Sequence, residues 1–291
     1  MELTELLNSK YLNLDSFAEK ERNNYIKSKH FPNISITNFF NEDFLSKVLE
    51  EFPDLSHINN SQIYKNKNEV KFTNNNYHEF PKNIKKLFDF LNSEIFVNFL
   101  NNITNIKEKL IPDPELNGGG LHEIKKGGLL KVHTDFNRHP HLDLDRRLNV
   151  LIYLNKNWQD SFGGHLQFWD KDMISCKKKI FPSFNTIAIF STTDFSNHGH
   201  PEPLSCPDNF SRKSIATYYF SKGRPQEEII TTHLKNTTNF KDRHGHYNET
   251  IHKEENLKNF LRKFKFYQYF KKIEKKYLRT GKSKKKRFKD K

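Results

Sequence analysis

His133-Thr134-Asp135 sets an imidazole and a carboxylate two positions apart. On a strand, side chains at i and i+2 leave the same face, so these two can address one ion. A third donor stands well downstream of Asp135, in Asn197-His198-Gly199-His200. Two imidazoles and one carboxylate bind Fe(II) on one face and leave the opposite coordination positions open, as an oxygenase requires. His198 and His200 are themselves two apart, so alternation does not choose between them. Spacing favours His200, the nearer of the two to Arg212 along the chain. A ligand at 200, however, would bring Glu202 onto the inward face, where a carboxylate is costly to bury. His133, Asp135 and His198 are therefore the expected catalytic and metal-binding set, with His200 as the alternative third ligand. Downstream, Arg212 and Ser214 share a strand face in Ser211-Arg212-Lys213-Ser214. A guanidinium fork with a hydroxyl beside it is a good receptor for a carboxylate.

The elements that must position these groups can be read from periodicity. Residues 1–30 are polar with scattered leucines, which predicts a short helix and a connector. An alternating strand from Phe31 runs into Asn41-Glu42-Asp43, a helix start, followed by Phe44, Leu45, Val48, Leu49 and Phe52 at helical spacing. A second helix is predicted over 84–101, ahead of Pro112 and Pro114. After Gly118-Gly119-Gly120 the period changes to two. Strands are predicted at 120–124, 129–134, 147–154, 164–169, 185–190, 198–204 and 212–220, with Gly163-Gly164 read as a hairpin turn. The expected fold class is α+β: a double-stranded β-helix (jelly-roll) barrel with N-terminal supporting helices and a basic C-terminal helix and tail.

This order of motifs, His-x-Asp, a distant His and then Arg-x-Ser on the following strand, resembles the 2-oxoglutarate- and Fe(II)-dependent oxygenases. Within them it is most similar to the prolyl 4-hydroxylase-type branch. The similarity runs from Gly118 to Phe220, including Arg147-Leu148-Asn149-Val150-Leu151-Ile152-Tyr153-Leu154-Asn155 and Gly163-Gly164, and covers roughly residues 31–225. The resemblance implies 2-oxoglutarate as cosubstrate, chelating the iron through its 2-oxo and C1 carboxylate groups, with its distal carboxylate on Arg212 and Ser214. It implies O2 as the second cosubstrate, succinate and CO2 as products, and hydroxylation of an aliphatic C–H in a peptidyl residue or small molecule. Ascorbate is the expected reductant. The implied organisation is an N-terminal extension (1–30), an oxygenase domain (31–225, catalytic core 116–222), a loop-rich connector (226–252) and a basic helix and tail (253–291).

Other residues carry less. His122, on the strand before the motif, could face the pocket, and Asn149 or Tyr153 could touch the cosubstrate; packing is the default for all three. His139 and His141 form a polar loop without a third ligand. Trp158 and Trp169 are expected as structural anchors or pocket walls. Cys176 and Cys206 form no C-x-x-C pair, which excludes a zinc ribbon or redox motif. The glycines of 118–120 lack the Gly-Lys-Ser/Thr of a phosphate loop.

Composition bounds the rest. The 291 residues include 27 Phe and 11 Tyr, enough large apolar area for a core despite a hydrophobic share of 34%. The net charge is +14, and nearly all of it lies in the segment 253–291, where Lys and Arg far outnumber Asp and Glu. The body is therefore close to neutral. The 253–291 tail suits a weak contact with a polyanion, nucleic acid or an anionic membrane surface. No apolar run is long enough for a transmembrane helix and no signal-peptide stretch opens the chain, so a soluble, cytoplasmic protein is expected. Two further functions fit part of the pattern. A nucleic-acid demethylase of the same superfamily would usually carry a further arginine shortly after Arg212, at the position where Tyr218 stands. A non-catalytic tethering module would need the triad to be accidental.

Overall fold

The computed structural model describes residues 2–228 and 238–243. Thirteen strands among them form one antiparallel sheet nearly closed into a barrel: β1 (Asn33–Thr37), β2 (Gln62–Lys65), β3 (Glu69–Asn74), β4 (Ile111–Pro112), β5 (Gly120–Lys125), β6 (Leu129–Thr134), β7 (Asp145–Tyr153), β8 (Leu166–Trp169), β9 (Cys176–Ile180), β10 (Thr186–Ser191), β11 (His198–His200), β12 (Ser211–Ser221) and β13 (Asn239–Phe240). Their order is β1-β10-β7-β12-β5-β3-β6-β11-β8-β9, with β2 on β3, β4 on β12 and β13 on β6. This is the double-stranded β-helix: a larger sheet from β1 to β5 faces a smaller one, β6-β11-β8-β9, and β3 joins them. At the open seam Lys178 Nζ donates to Asn33 Oδ1 across 2.7 Å.

Five α-helices cover the outer face of the larger sheet: α1 (Leu3–Leu6), α2 (Leu14–Ile26), α3 (Glu42–Glu50), α4 (Lys82–Leu91) and α5 (Glu94–Thr104). Alternation along the strands decides which residues meet them. Leu148, Val150 and Ile152 of β7, Ile187 and Ile189 of β10, and Ile215 and Tyr219 of β12 join one buried core with Phe39, Phe40, Phe90, Phe96 and Phe99. Tyr219 also donates its hydroxyl to the Leu91 carbonyl at 2.7 Å. Leu6, Leu7, Leu14, Ala18 and Tyr25 belong to the same core, so the N-terminal segment is part of the folded body. The opposite face of the same strands, with Asn149, Tyr153, Ala188, Phe190, Arg212, Ser214 and Tyr218, looks into the barrel.

Several boundaries differ from the sequence expectation. The helix expected over 84–101 is two, because Ser93 accepts the Phe96 amide and caps a new start. The strand expected at 198–204 stops at His200, where Pro201 and Pro203 supply no amide hydrogen for a ladder. Gly163-Gly164 is not a hairpin turn, since β7 and β8 lie in different sheets. The β2–β3 hairpin, β9 and β13 were not anticipated. The basic helix expected at 255–278, the tail to 291 and most of the 226–252 connector fall outside the described residues. No described helix is long and apolar enough to cross a membrane.

Candidate functional site

β6 and β11 are neighbours in the smaller sheet, with His133 directly opposite His198. The two rings lie 4.5 Å apart between centroids, and Asp135 follows just past the end of β6. His133 Nε2 is 3.6 Å from Asp135 Oδ1, and His198 Nε2 is 3.4 Å from Asp135 Oδ2. One donor atom from each of the three residues lies within 4.8 Å of the others, and no other group of three potential ligands is found among the described residues. His200 does not join them. The register shifts between His198 and His200, which sets His200 opposite Leu130. Glu202 has no inward role either: past the end of β11 it accepts from Gln167 Nε2 and Arg243 Nη1.

The donor set suits a divalent cation. His133 Nδ1 lies 2.8 Å from the Lys131 carbonyl and His198 Nδ1 2.9 Å from the Ser196 carbonyl. A carbonyl only accepts, so each Nδ1 carries the proton and each Nε2 turns a lone pair toward Asp135. Burial pushes the His198 imidazole down to about 4, so it is neutral near pH 7. Burial pushes the Asp135 carboxyl up, but the Arg146 guanidinium outweighs it and holds it well below the usual range. Phe190 packs edge-on against His198, and Phe240 of β13 lies beside His133 with centroids 5.5 Å apart.

Arg146 and Asn149, both on β7, fix the carboxylate. Asn149 Nδ2 donates to Asp135 Oδ2 at 2.7 Å, and Arg146 Nη2 lies 3.2 Å from the same oxygen. Arg146 also donates through Nε and Nη2 to Asn149 Oδ1. Its guanidinium carbon sits 3.4 Å from the Tyr218 ring centroid and 4.4 Å from that of Phe136, and only 1% of the residue is exposed. Sequence reasoning named Asn149 only as a possible cosubstrate contact and missed Arg146.

A cavity of about 200 Å³ joins the triad to Arg212 and Ser214. Arg212 Nε donates to the Gly164 carbonyl at 2.8 Å and Nη2 to the Tyr153 hydroxyl at 3.3 Å. Gly164 permits that approach: a Cβ there would lie 2.9 Å from Arg212 Cδ, at a φ of +75°. Among the described residues no carboxylate pairs with Arg212, although only 5% of it is exposed. Ser214 lies in register between His122 of β5 and Tyr153 of β7, so the three form one row across the larger sheet. Burial, with Lys71 and Arg212 nearby, lowers His122 to about 3. The same causes, burial first, hold His200 well below its ordinary value. Tyr64, Glu69 and Lys71 of the β2–β3 hairpin and Thr238 beside β13 line other parts of the cavity.

The remaining candidates are structural. His139 accepts the His141 and Leu142 amides at Nδ1 and faces Asp113 across 3.8 Å. Trp158 packs with Phe162, Leu204 and Cys206, and Trp169 with Val132 and Met173. Both cysteines are free.

Residues 119–220 match the model of the 2OG-Fe(II) oxygenase superfamily. Among curated proteins, none matches the sequence. Solved structures do. A prolyl hydroxylase from Trichoplax adhaerens, in complex with a hypoxia inducible factor oxygen degradation domain peptide fragment, superposes with a TM-score of 0.53 at 16% identity, covering 74% of this chain and 94% of that one. A Pseudomonas putida prolyl-4-hydroxylase gives 0.51 at 12% identity, over 72% of this chain and 100% of the other. A prolyl 4-hydroxylase from Phytophthora capsici gives 0.51 at 19%, over 80% and 73%. At these identities the likeness is one of fold.

Proposed function

We propose that this chain is a 2OG-Fe(II) oxygenase, a reading supported by the match of residues 119–220 to that superfamily's model, and that it hydroxylates an aliphatic C–H of a peptidyl residue or small molecule. The balanced reaction converts substrate, 2-oxoglutarate and O2 to hydroxylated product, succinate and CO2. The observation that carries the reading is the pairing of two features in one cavity: three converging metal donors, and a buried guanidinium with no carboxylate partner among the described residues. A buried cation left unpaired is unfavourable unless an anion completes it. The distal carboxylate of a five-carbon keto-diacid supplies that anion while its other end reaches the metal.

In this reading His133, Asp135 and His198 hold Fe(II), and the metal supplies the activation of O2. The chain's own groups do the rest. Arg212, Tyr153 and Ser214 bind and orient the cosubstrate, and Arg146 and Asn149 hold the Asp135 carboxylate in place. A peptidyl substrate is favoured over a free metabolite because the Trichoplax relative by fold is bound to a peptide. Ascorbate would serve as reductant.

The test is succinate formation from 2-oxoglutarate by protein supplied with Fe(II) and ascorbate, beside Asp135→Ala and Arg212→Ala. Succinate from the native protein and none from Asp135→Ala is expected. Arg212→Ala should retain turnover with KM for 2-oxoglutarate raised roughly 10–100-fold, since hydrogen bonds to a charged group contribute about 1.5–3 kcal/mol. A native protein that binds neither Fe(II) nor 2-oxoglutarate anaerobically overturns the reading.

A further inference from the structure

Of the histidines inside the barrel, His133 and His198 turn one nitrogen to a carbonyl and the other to Asp135. His200 does neither. Only 3% of it is exposed and it lines the cavity, yet neither Nδ1 nor Nε2 has a hydrogen-bond partner among the described residues. His122, on the facing sheet, likewise leaves Nε2 without a partner. A buried donor left unmade costs about 1–3 kcal/mol, so a ring kept only for packing would be better replaced by an apolar one. Both rings border the same cavity as Arg212 and Ser214.

We propose that His200 completes the receptor for the cosubstrate's carboxylate by donating a ring N–H group to it alongside Arg212 and Ser214. This rests on the oxygenase reading above and extends it to one residue outside the metal triad. Arg212 supplies the charge from β12, and His200 supplies a donor from the smaller sheet, so the anion is gripped from both walls. The role also accounts for a third imidazole in the barrel that does not reach the metal cluster. His200 is here a positioning residue for the cosubstrate rather than a metal ligand.

The experiment is calorimetric titration of the full chain, metal-free or loaded with Mn(II) as a redox-inert stand-in. Mn(II) and then 2-oxoglutarate are titrated into native protein, His200→Leu and His200→Gln. His200→Leu should leave Mn(II) affinity at the native value and weaken 2-oxoglutarate roughly 10–100-fold. His200→Gln, which keeps an N–H donor, should recover part of that loss. Metal-free His200→Leu should unfold at or above the native temperature, because an orphaned polar group has been removed; a structural histidine would give the opposite. Native 2-oxoglutarate affinity in His200→Leu overturns the proposal, and so does loss of Mn(II) affinity, which would make His200 a ligand. If Mn(II)-loaded native protein fails to bind 2-oxoglutarate at all, the oxygenase reading itself falls.

Discussion

Asp135 binds a cation well only if its carboxylate stays ionised and aimed, and burial alone would oppose the first. Arg146 meets both needs: its charge holds the carboxyl well below the usual range against desolvation, and with Asn149 it anchors Oδ2. Partners of this kind typically change metal affinity by about 10–100-fold. Arg146→Leu should therefore weaken Mn(II) binding by about that factor in a calorimetric titration, with Asn149→Ala weaker in the same sense. A Kd within twofold of native for Arg146→Leu would remove Arg146 from this role. The sequence made the ligands themselves legible, because i, i+2 alternation is a local rule that holds for His133 and Asp135. Arg146 escaped it. By alternation Arg146 shares a face with Leu148, which packs on the helices, yet its side chain reaches the cavity. The ladder between β7 and β12 shifts register between Tyr219 and Phe220, opposite the start of β7. A register shift is set by two strands far apart in the chain, and no local pattern announces it.

At the scale of elements, the strands that carry the chemistry were legible and those that hold them were less so. β6 runs over the expected 129–134, and β12 extends one residue beyond the expected 212–220 at each end. The β2–β3 hairpin escaped notice because Gln62–Lys65 and Glu69–Asn74 are polar, half-exposed stretches without strong alternation. Yet β3 joins the two sheets by pairing with both β5 and β6. That junction depends on Gly120. Its φ is +97°, and a Cβ there would lie 2.2 Å from the Asn74 carbonyl oxygen, a backbone atom that cannot rotate away. Gly127 has a comparable φ of +75° but nothing within 4 Å of the would-be Cβ. Gly127→Ala should cost about 1 kcal/mol, the backbone strain alone. Gly120→Ala should cost about 2–4 kcal/mol, since strain and overpacking add. Thermal unfolding separates them at roughly 2–4 °C per kcal/mol in a body of this size. Equal shifts for the two variants would mean that the β3–β5 approach is not tight.

At the scale of the whole molecule, placing the site between two sheets buries imidazoles that must stay neutral, and this ties acid stability to function. His122 is the clearest case. Burial first, then the charges of Lys71 and Arg212, depress it to about 3, while backbone hydrogen bonds to Gly118 and Gly119 act weakly the other way. Its cross-strand neighbours Thr73 and Ser214 are uncharged. A folded value below the ordinary 6.5 means that, between the two, the unfolded chain holds the extra proton. The stabilisation is then fully present above about pH 6.5 and is lost as pH falls toward 3, at up to about 1.4 kcal/mol per pH unit for one proton. His198, depressed to about 4, adds a contribution of the same sign in metal-free protein. Urea midpoints of metal-free protein should fall steadily from about pH 6.5 to about 4.5, and His122→Gln should flatten the dependence by the share of one proton. An unchanged slope in that variant would show that His122 is protonated in the folded barrel, which the neighbouring cations Lys71 and Arg212 oppose. Bound metal should steepen the slope and extend it to lower pH, because a ligated His198 holds no proton in the folded state while the unfolded chain still takes one up.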